Sequence, residues 1–221
     1  MFRQIRDHRG RRGRALSVLV VLCLAFVVVG TAGCCTMRGP PVSADAYPWR
    51  FRPTSELAGD FLWRQQMTAQ FRGRGQELEA VLQKKGDTLT LLGLTPIGTK
   101  AFVLTQTGTD ITFESFIDRE LPFPPRFMLI DVQRSYYPIG AQPAGDSTVT
   151  TLVDGERVDE VWEGGILRRR TFTRIDGKPE GTLTIDYRAW EVGTPVDLVI
   201  DNPWFGYTME IRTTSAQTLP Q

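Results

Sequence analysis

Histidine and cysteine are nearly missing from this 221-residue chain, which has one histidine, His8, and three cysteines, Cys23, Cys34 and Cys35. All four lie at or before Cys35, so neither type occurs from Thr36 to Gln221. That excludes a histidine general base, a Ser-His triad and a zinc or iron site with imidazole ligands from the body of the chain. No disulfide can staple the body internally, so burial must hold it, and the length is ample for one domain. Long apolar runs are scarce as well: there is one, Ala15 to Gly30, interrupted only by Ser17. No internal repeat of fixed period is visible.

What is present starts with a basic lead. Arg3, Arg6, Arg9, Arg11, Arg12 and Arg14 stand against a single Asp7, and "VVVGTAGCC", Val27 to Cys35, closes the apolar run in small residues. This is the layout of an export signal. The run falls short of the roughly 20 residues a helix needs to cross the hydrocarbon core, which leaves a single uncleaved anchor as the alternative. A redox pair at Cys34 and Cys35 is disfavoured, because reactive cysteines need a structured electropositive niche.

Thr31-Ala32-Gly33-Cys34 resembles the bacterial lipobox, departing from it at Thr31, where a larger apolar residue is usual. The resemblance implies cleavage before Cys34, a diacylglycerol on its thiol and a further acyl chain of the palmitate kind on the new N-terminus. At roughly 0.8 kcal/mol per buried methylene such an anchor is close to permanent. Cys35 occupies the place where Asp would retain a Gram-negative lipoprotein in the inner membrane. The implied address is the outer membrane, on its periplasmic face.

Loss of residues 1–33 would remove six of 26 basic and one of 25 acidic residues, leaving 20 against 24, a net charge of −4. Nucleic acid is then a poor partner. Residues 34–54 are rich in Pro, Gly, Ser and Ala and read as a flexible tether; 55–215 read as one domain and 216–221 as a tail.

Period-two patterning dominates the domain. "SELAGDFLW", from Ser55, reads as a short helix or turn leading into Met67, Ala69 and Phe71, then Leu78, Ala80 and Leu82 before the turn "KKGD". "TLTLLGL", "TPIG" and "TKAFVLTQT" read as strand, turn and strand, and "TGTD" at 107–110 turns the chain into "ITFESF". Later, Leu183, Ile185, Tyr187 and Ala189 share a face, as do Val196, Leu198 and Ile200, and Phe205, Tyr207, Met209 and Ile211. Antiparallel hairpins with one dry face are predicted. Between the two sheet-forming halves, residues 121–138 break the alternation. Pro124 and Pro125 suit a helix start, and Met128, Val132 and Tyr136 recur at i+4 beside Leu129, with Asp131, Arg134 and Ser135 assigned to the opposite face. This helix is either plain core or the wall of a hydrophobic cavity.

The lipobox, the tether, the hairpins carrying "TPIG" and "FVL", the Pro-led helix and the closing "NPWFGYTMEI" together resemble the LolB-type lipoproteins, over about Phe61 to Thr213. More closely they resemble an uncharacterised lipoprotein family encoded beside aryl polyene biosynthesis enzymes. The resemblance implies a mainly β, α+β fold: a curved antiparallel sheet or unclosed half-barrel with helices on its concave side, around a cavity for acyl chains. It implies a non-enzymatic carrier or acceptor of lipid, lipoprotein or aryl polyene lipid, without cofactor or metal, loaded by a periplasmic carrier protein. LolB proteins present an apolar residue to the membrane on a turn of Asn-Pro-Leu-Gly type. Thr95-Pro96-Ile97-Gly98 matches it with Thr in place of Asn, which puts Ile97 in the protruding role on the membrane-contact loop Pro96, Ile97 and Gly98. Read from the residues alone, Ile97 is an exposed turn residue or one folded back on the sheet.

A tail carried through water exposes each methylene at roughly 0.8 kcal/mol, so a carrier needs an apolar hollow rather than a catalytic group. Candidate lining residues are Phe102, Leu104, Phe113, Leu129, Val132, Tyr187, Leu198 and Met209; each also fits plain core. Two other classes stay open. A carboxylate-dependent hydrolase would use Asp159 and Glu163, one face of a strand, with Glu160 near Trp162. A non-catalytic envelope adaptor would use "LRRRTF", Leu167 to Phe172, in which Arg168 and Arg170 share a face and Arg169 takes the other, unless this is merely a solvated strand surface.

Overall fold

The computed structural model describes residues 49–71, 73–118 and 125–220. The lipobox, Cys34 and most of the tether, residues 34–48, lie outside these residues. After a 3-10 turn at Thr54–Glu56 come β1 (Phe61–Phe71), β2 (Arg74–Lys85), β3 (Thr88–Leu94), β4 (Lys100–Thr107) and β5 (Asp110–Ser115). A single helix among the described residues, α1 (Pro125–Tyr136), leads to β6 (Ser147–Val153), β7 (Glu156–Glu163), β8 (Ile166–Arg174), β9 (Thr182–Glu191), β10 (Thr194–Asn202) and β11 (Tyr207–Thr218). Pro125 is the first helical residue, where its missing N–H costs nothing.

The strands form one antiparallel sheet in the order β5-β4-β3-β2-β1-β11-β10-β9-β8-β7-β6. Two meanders meet where β1 pairs with β11, and the outer strands β5 and β6 are not paired with each other, so the sheet is not closed into a barrel. Its curvature follows from the contacts of α1. Eight strand intervals separate β4 from β7, which in a flat sheet is roughly 38 Å at the usual inter-strand spacing. Yet Gln133 Nε2 donates to Gln106 Oε1 of β4 at 2.9 Å, and the neighbouring Arg134 donates to Glu156 Oε1 of β7 at 2.7 Å. Both ends of the sheet therefore bend round one helix, which is buried on all sides from Phe127 to Ser135.

The packed unit is wider than the sequence suggests. Trp49 and Thr54, placed in the tether by composition, are both buried. The segment they bound is a strap: Trp49 Nε1 donates to Gln133 Oε1 at 2.9 Å, Arg50 N to Asp154 Oδ2 at 3.3 Å, and Thr54 Oγ1 to Asp87 O at 2.9 Å. At the other terminus, residues 216–218 belong to β11 rather than to a tail, with Thr218 opposite Phe61 and Leu219 N bonded to Asp60 O at 2.8 Å.

Candidate functional site

A hollow of about 790 Å³ lies between α1 and the inner face of β1–β4, with β11 at its side. One row of the sheet shapes its floor. Gln65 pairs with Ala80, Ala80 with Gly93, and Gly93 with Phe102, so two of the smallest residues stand side by side beneath the helix. A Cβ at Gly93 would come within 2.2 Å of the Phe102 ring, which leans over the glycine backbone instead. The walls are completed by Met67, Ala69, Leu78, Leu91, Ala101, Met209 and Ile211 from the strands. From the helix come Met128, Asp131, Val132, Ser135 and Tyr136. Flexible methionines, Met67 and Met209 on the paired strands β1 and β11 and Met128 on the helix, suit a wall that adapts to its contents.

The helix stripe corrects the sequence assignment of its polar residues. At 100° per residue, Asp131 and Ser135 fall within one quadrant or so of Met128, not opposite it, and both line the hollow. Arg134 does point away, but into protein rather than water. Its guanidinium is fully buried, with both Glu156 oxygens at 2.7 and 2.9 Å and the rings of Phe172, Trp49 and Trp204 at 4.9, 5.0 and 5.3 Å from its Cζ. Burial pushes the Glu156 carboxyl above the usual carboxylate range, and Arg134 only partly offsets it. Beside this clasp, Arg170 pairs with Glu160 at 2.6 Å and donates to Arg134 O at 2.6 Å, while Tyr187 Oη donates to Ser135 O at 2.7 Å. The orphan carbonyls at the helix end are thereby satisfied. Desolvation raises the Tyr187 hydroxyl to about 12 and holds Tyr136 still higher, so both remain neutral.

The arginine cluster is a solvated surface at Arg168 and Arg169 but not at Arg170. A register shift between Val161 and Trp162 leaves Arg168 as an extra residue in β8, so it does not share a face with Arg170. Arg170 is buried, and Arg169 pairs outside with Asp186 at 2.5 Å. The acidic trio is split too. Glu160 faces inward, whereas Asp159 accepts from Thr150 and Arg157 at 2.7 and 3.0 Å and Glu163 pairs with Arg168 at 3.3 Å, none of them lining the hollow.

Of the eight lining residues expected from sequence, Phe102, Val132 and Met209 line the hollow. Leu104, Leu129, Tyr187 and Leu198 are buried as core instead, and Phe113 is 41% exposed, its ring 6.2 Å from that of Phe102. Core is their fate because dry-face patterning marks burial without telling a filled site from an open one. The small residues Ala80, Ala69 and Ala101, and Gly93 beneath Phe102, were missed; a cross-strand alignment of Ala80 with Gly93 would have pointed to them.

Thr95, Pro96, Ile117 and Asp118 form the rim of the hollow. The rim turn is closed by Gly98 N to Thr95 O at 2.8 Å and by Thr99 N to Thr95 Oγ1 at 3.2 Å, with Gly98 at φ +79° as the turn requires. Ile97 stands out from it, 84% exposed, and Phe116 beside the rim is 46% exposed under the Lys100 ammonium at 5.7 Å. The strap binds at Asp87, before β3, and the rim turn follows β3, so rim and strap sit at opposite ends of a seven-residue strand, roughly 20 Å apart. Among the described residues no cluster of His, Cys, Asp and Glu could hold a metal ion, and no helix is long and apolar enough to cross a membrane.

Fold and site thus define a class: a mostly β protein whose open antiparallel sheet wraps one helix and leaves a hydrophobic hollow on one side of it. The chain belongs to the family described as "Protein of unknown function (DUF3261)", whose model matches residues 62–215. No curated protein matches it. Among solved structures, a LolA superfamily protein from Nitrosomonas europaea is similar at 10% identity and TM-score 0.47, over 78% of this chain and 89% of that one. A domain named for outer membrane lipoprotein sorting, from Vibrio parahaemolyticus, aligns at 10% identity and TM-score 0.45 over 72% and 85%. A DUF1329 family protein from Desulfovibrio piger aligns at 10% identity and TM-score 0.42 over 73% and 86%. At these scores the likeness is one of general outline.

Proposed function

We propose that the protein is a lipid-anchored carrier or acceptor of acyl chains, tethered through Cys34 to the outer membrane and facing the periplasm. The observation that carries this reading is an apolar hollow of about 790 Å³ whose rim bears an exposed Ile97. A volume in the range of ordinary ligand pockets is ample for a fatty tail, and each methylene taken from water contributes about 0.8 kcal/mol. The rim turn, Pro96, Ile97 and Gly98, touches the bilayer, so that a tail passes between membrane and hollow without crossing water. Cargo reaches it as a lipid, a lipoprotein delivered by a periplasmic carrier, or an aryl polyene lipid. No reaction is assigned to it.

Lipid exchange tests the reading. Vesicles loaded with a pyrene-labelled phospholipid are mixed with unlabelled acceptor vesicles, with and without a soluble form beginning after Cys35. Faster transfer, slowed by Ile97→Ser, is expected; no acceleration with phospholipid and none with an acylated peptide overturns it. Radiolabelled palmitate should enter the full chain and not Cys34→Ala.

A further inference from the structure

The walls of the hollow are tied to one another. On its own side, the Tyr207 hydroxyl donates to Asp131 Oδ2 and Gln65 Nε2 donates to Tyr136 Oη at 2.8 Å, which pins the helix to β11 and to β1. On the far side the helix is held by Glu156 through Arg134 at 2.7 Å, by Arg170 at Arg134 O and by Tyr187 at Ser135 O. The floor is no looser, since β1 to β4 pair strand by strand and parting them breaks backbone hydrogen bonds. Helix and sheet therefore neither close over the space nor swing apart to enlarge it. The methionines change its shape more readily than its volume.

A methylene in a packed chain fills roughly the 30 Å³ that a water molecule takes in the liquid. On that measure a hollow of about 790 Å³ holds roughly 26 chain carbons. We infer that the hollow takes one lipid of at most about 26 acyl carbons, as a single long tail or as two tails of about 13. The inference rests on the carrier reading and narrows its cargo. A three-chain anchor of the kind implied at Cys34, roughly 48 carbons if all three chains are palmitoyl, would leave nearly half its length outside. The hollow thus suits a one- or two-tailed lipid and not the anchor of a mature lipoprotein.

A ladder of phosphatidylcholines tests the limit. Vesicles holding equimolar didecanoyl, dilauroyl, dimyristoyl, dipalmitoyl and distearoyl lipids are incubated with the domain beginning after Cys35, which is then re-isolated, extracted and analysed by mass spectrometry. Within the limit, each added methylene leaves the bilayer and enters the hollow, and the two transfers cancel. Beyond it, each one stays in water and lowers binding about fourfold. Dilauroyl lipid, inside the limit, should exceed dipalmitoyl, outside it, by about tenfold or more. Ala69→Leu adds three carbons to the wall and should push dilauroyl lipid out; Met128→Ala removes three heavy atoms and should bring dimyristoyl lipid in. Equal recovery of dilauroyl and dipalmitoyl lipid by the wild type means that the walls yield; it overturns the inference and leaves the carrier reading standing. A limit that neither folded variant moves also overturns it, because that limit then belongs to another surface. Recovery of no lipid from the ladder fells the carrier reading, and the inference with it.

Discussion

On the β7–β9 side of α1 the helix is gripped by side chains: Arg134 is stacked among Trp49, Phe172 and Trp204 and clasped by Glu156, and Arg170 ties Glu160 to the helix end. On the β1–β4 side, the small Ala69, Ala80 and Ala101 stand in the wall, and the space stays open. The difference teaches how a hollow of this size persists. Interiors normally close over voids, since each unfilled volume forfeits dispersion contacts. Here the helix cannot drop into the gap, because its other face, its end carbonyls and the strap hold it from the far side. The filled half is the frame, and the hollow half is the site.

The comparison breaks most visibly at the clasp. Arg134→Met strands a buried Glu156 and should cost about 3–5 kcal/mol in urea unfolding, the usual penalty for removing one partner of a buried pair. A loss under about 1 kcal/mol would mean that the frame does not depend on it. Next come opposite responses to added bulk. Ile185→Phe in the filled half should cost about 1–3 kcal/mol through overpacking. Ala80→Phe, which grows into the hollow, should leave stability within about 1 kcal/mol of wild type and abolish tail binding.

A smaller effect is expected with pH. The folded Glu156 pKa lies above its unfolded value of 4.5, so the folded state holds the proton more tightly. Stability linked to this group is full below pH 4.5 and falls as pH rises through the raised folded value. Glu156→Gln should remove that downward slope from a plot of unfolding free energy against pH above the mid-fours, whatever its effect on the absolute level. Least of all for stability is Ile97→Ser, expected within about 0.5 kcal/mol of wild type because the side chain touches solvent. Its vesicle binding by flotation should nevertheless fall.

Alternation made the strands of the first meander and the last three legible, and the Pro-led stripe of Met128, Val132 and Tyr136 located the helix and the side of it that faces the hollow. The Pro-Ile-Gly turn was legible as a turn, and of the two positions it left open for Ile97 the structure has the exposed one. What stayed hidden was cross-strand register. Only pairing sets Ala80 beside Gly93, and only the bulge in β8 turns Arg170 inward while Arg169 stays out. Charges read as surface because a lone sequence does not show that Arg134 meets Glu156, 22 positions later, in the core. Trp49 was lost among tether-like neighbours for the same reason: its partner Gln133 is 84 residues away.

The most direct measurement is organic extraction and mass spectrometry of the purified domain beginning after Cys35, with Ala80→Phe alongside. Acyl lipid approaching one molecule per wild-type chain, and little or none with the variant, is the predicted result. A wild-type domain that emerges empty and binds no added phospholipid would contradict the claim that the space beneath α1 is a lipid site.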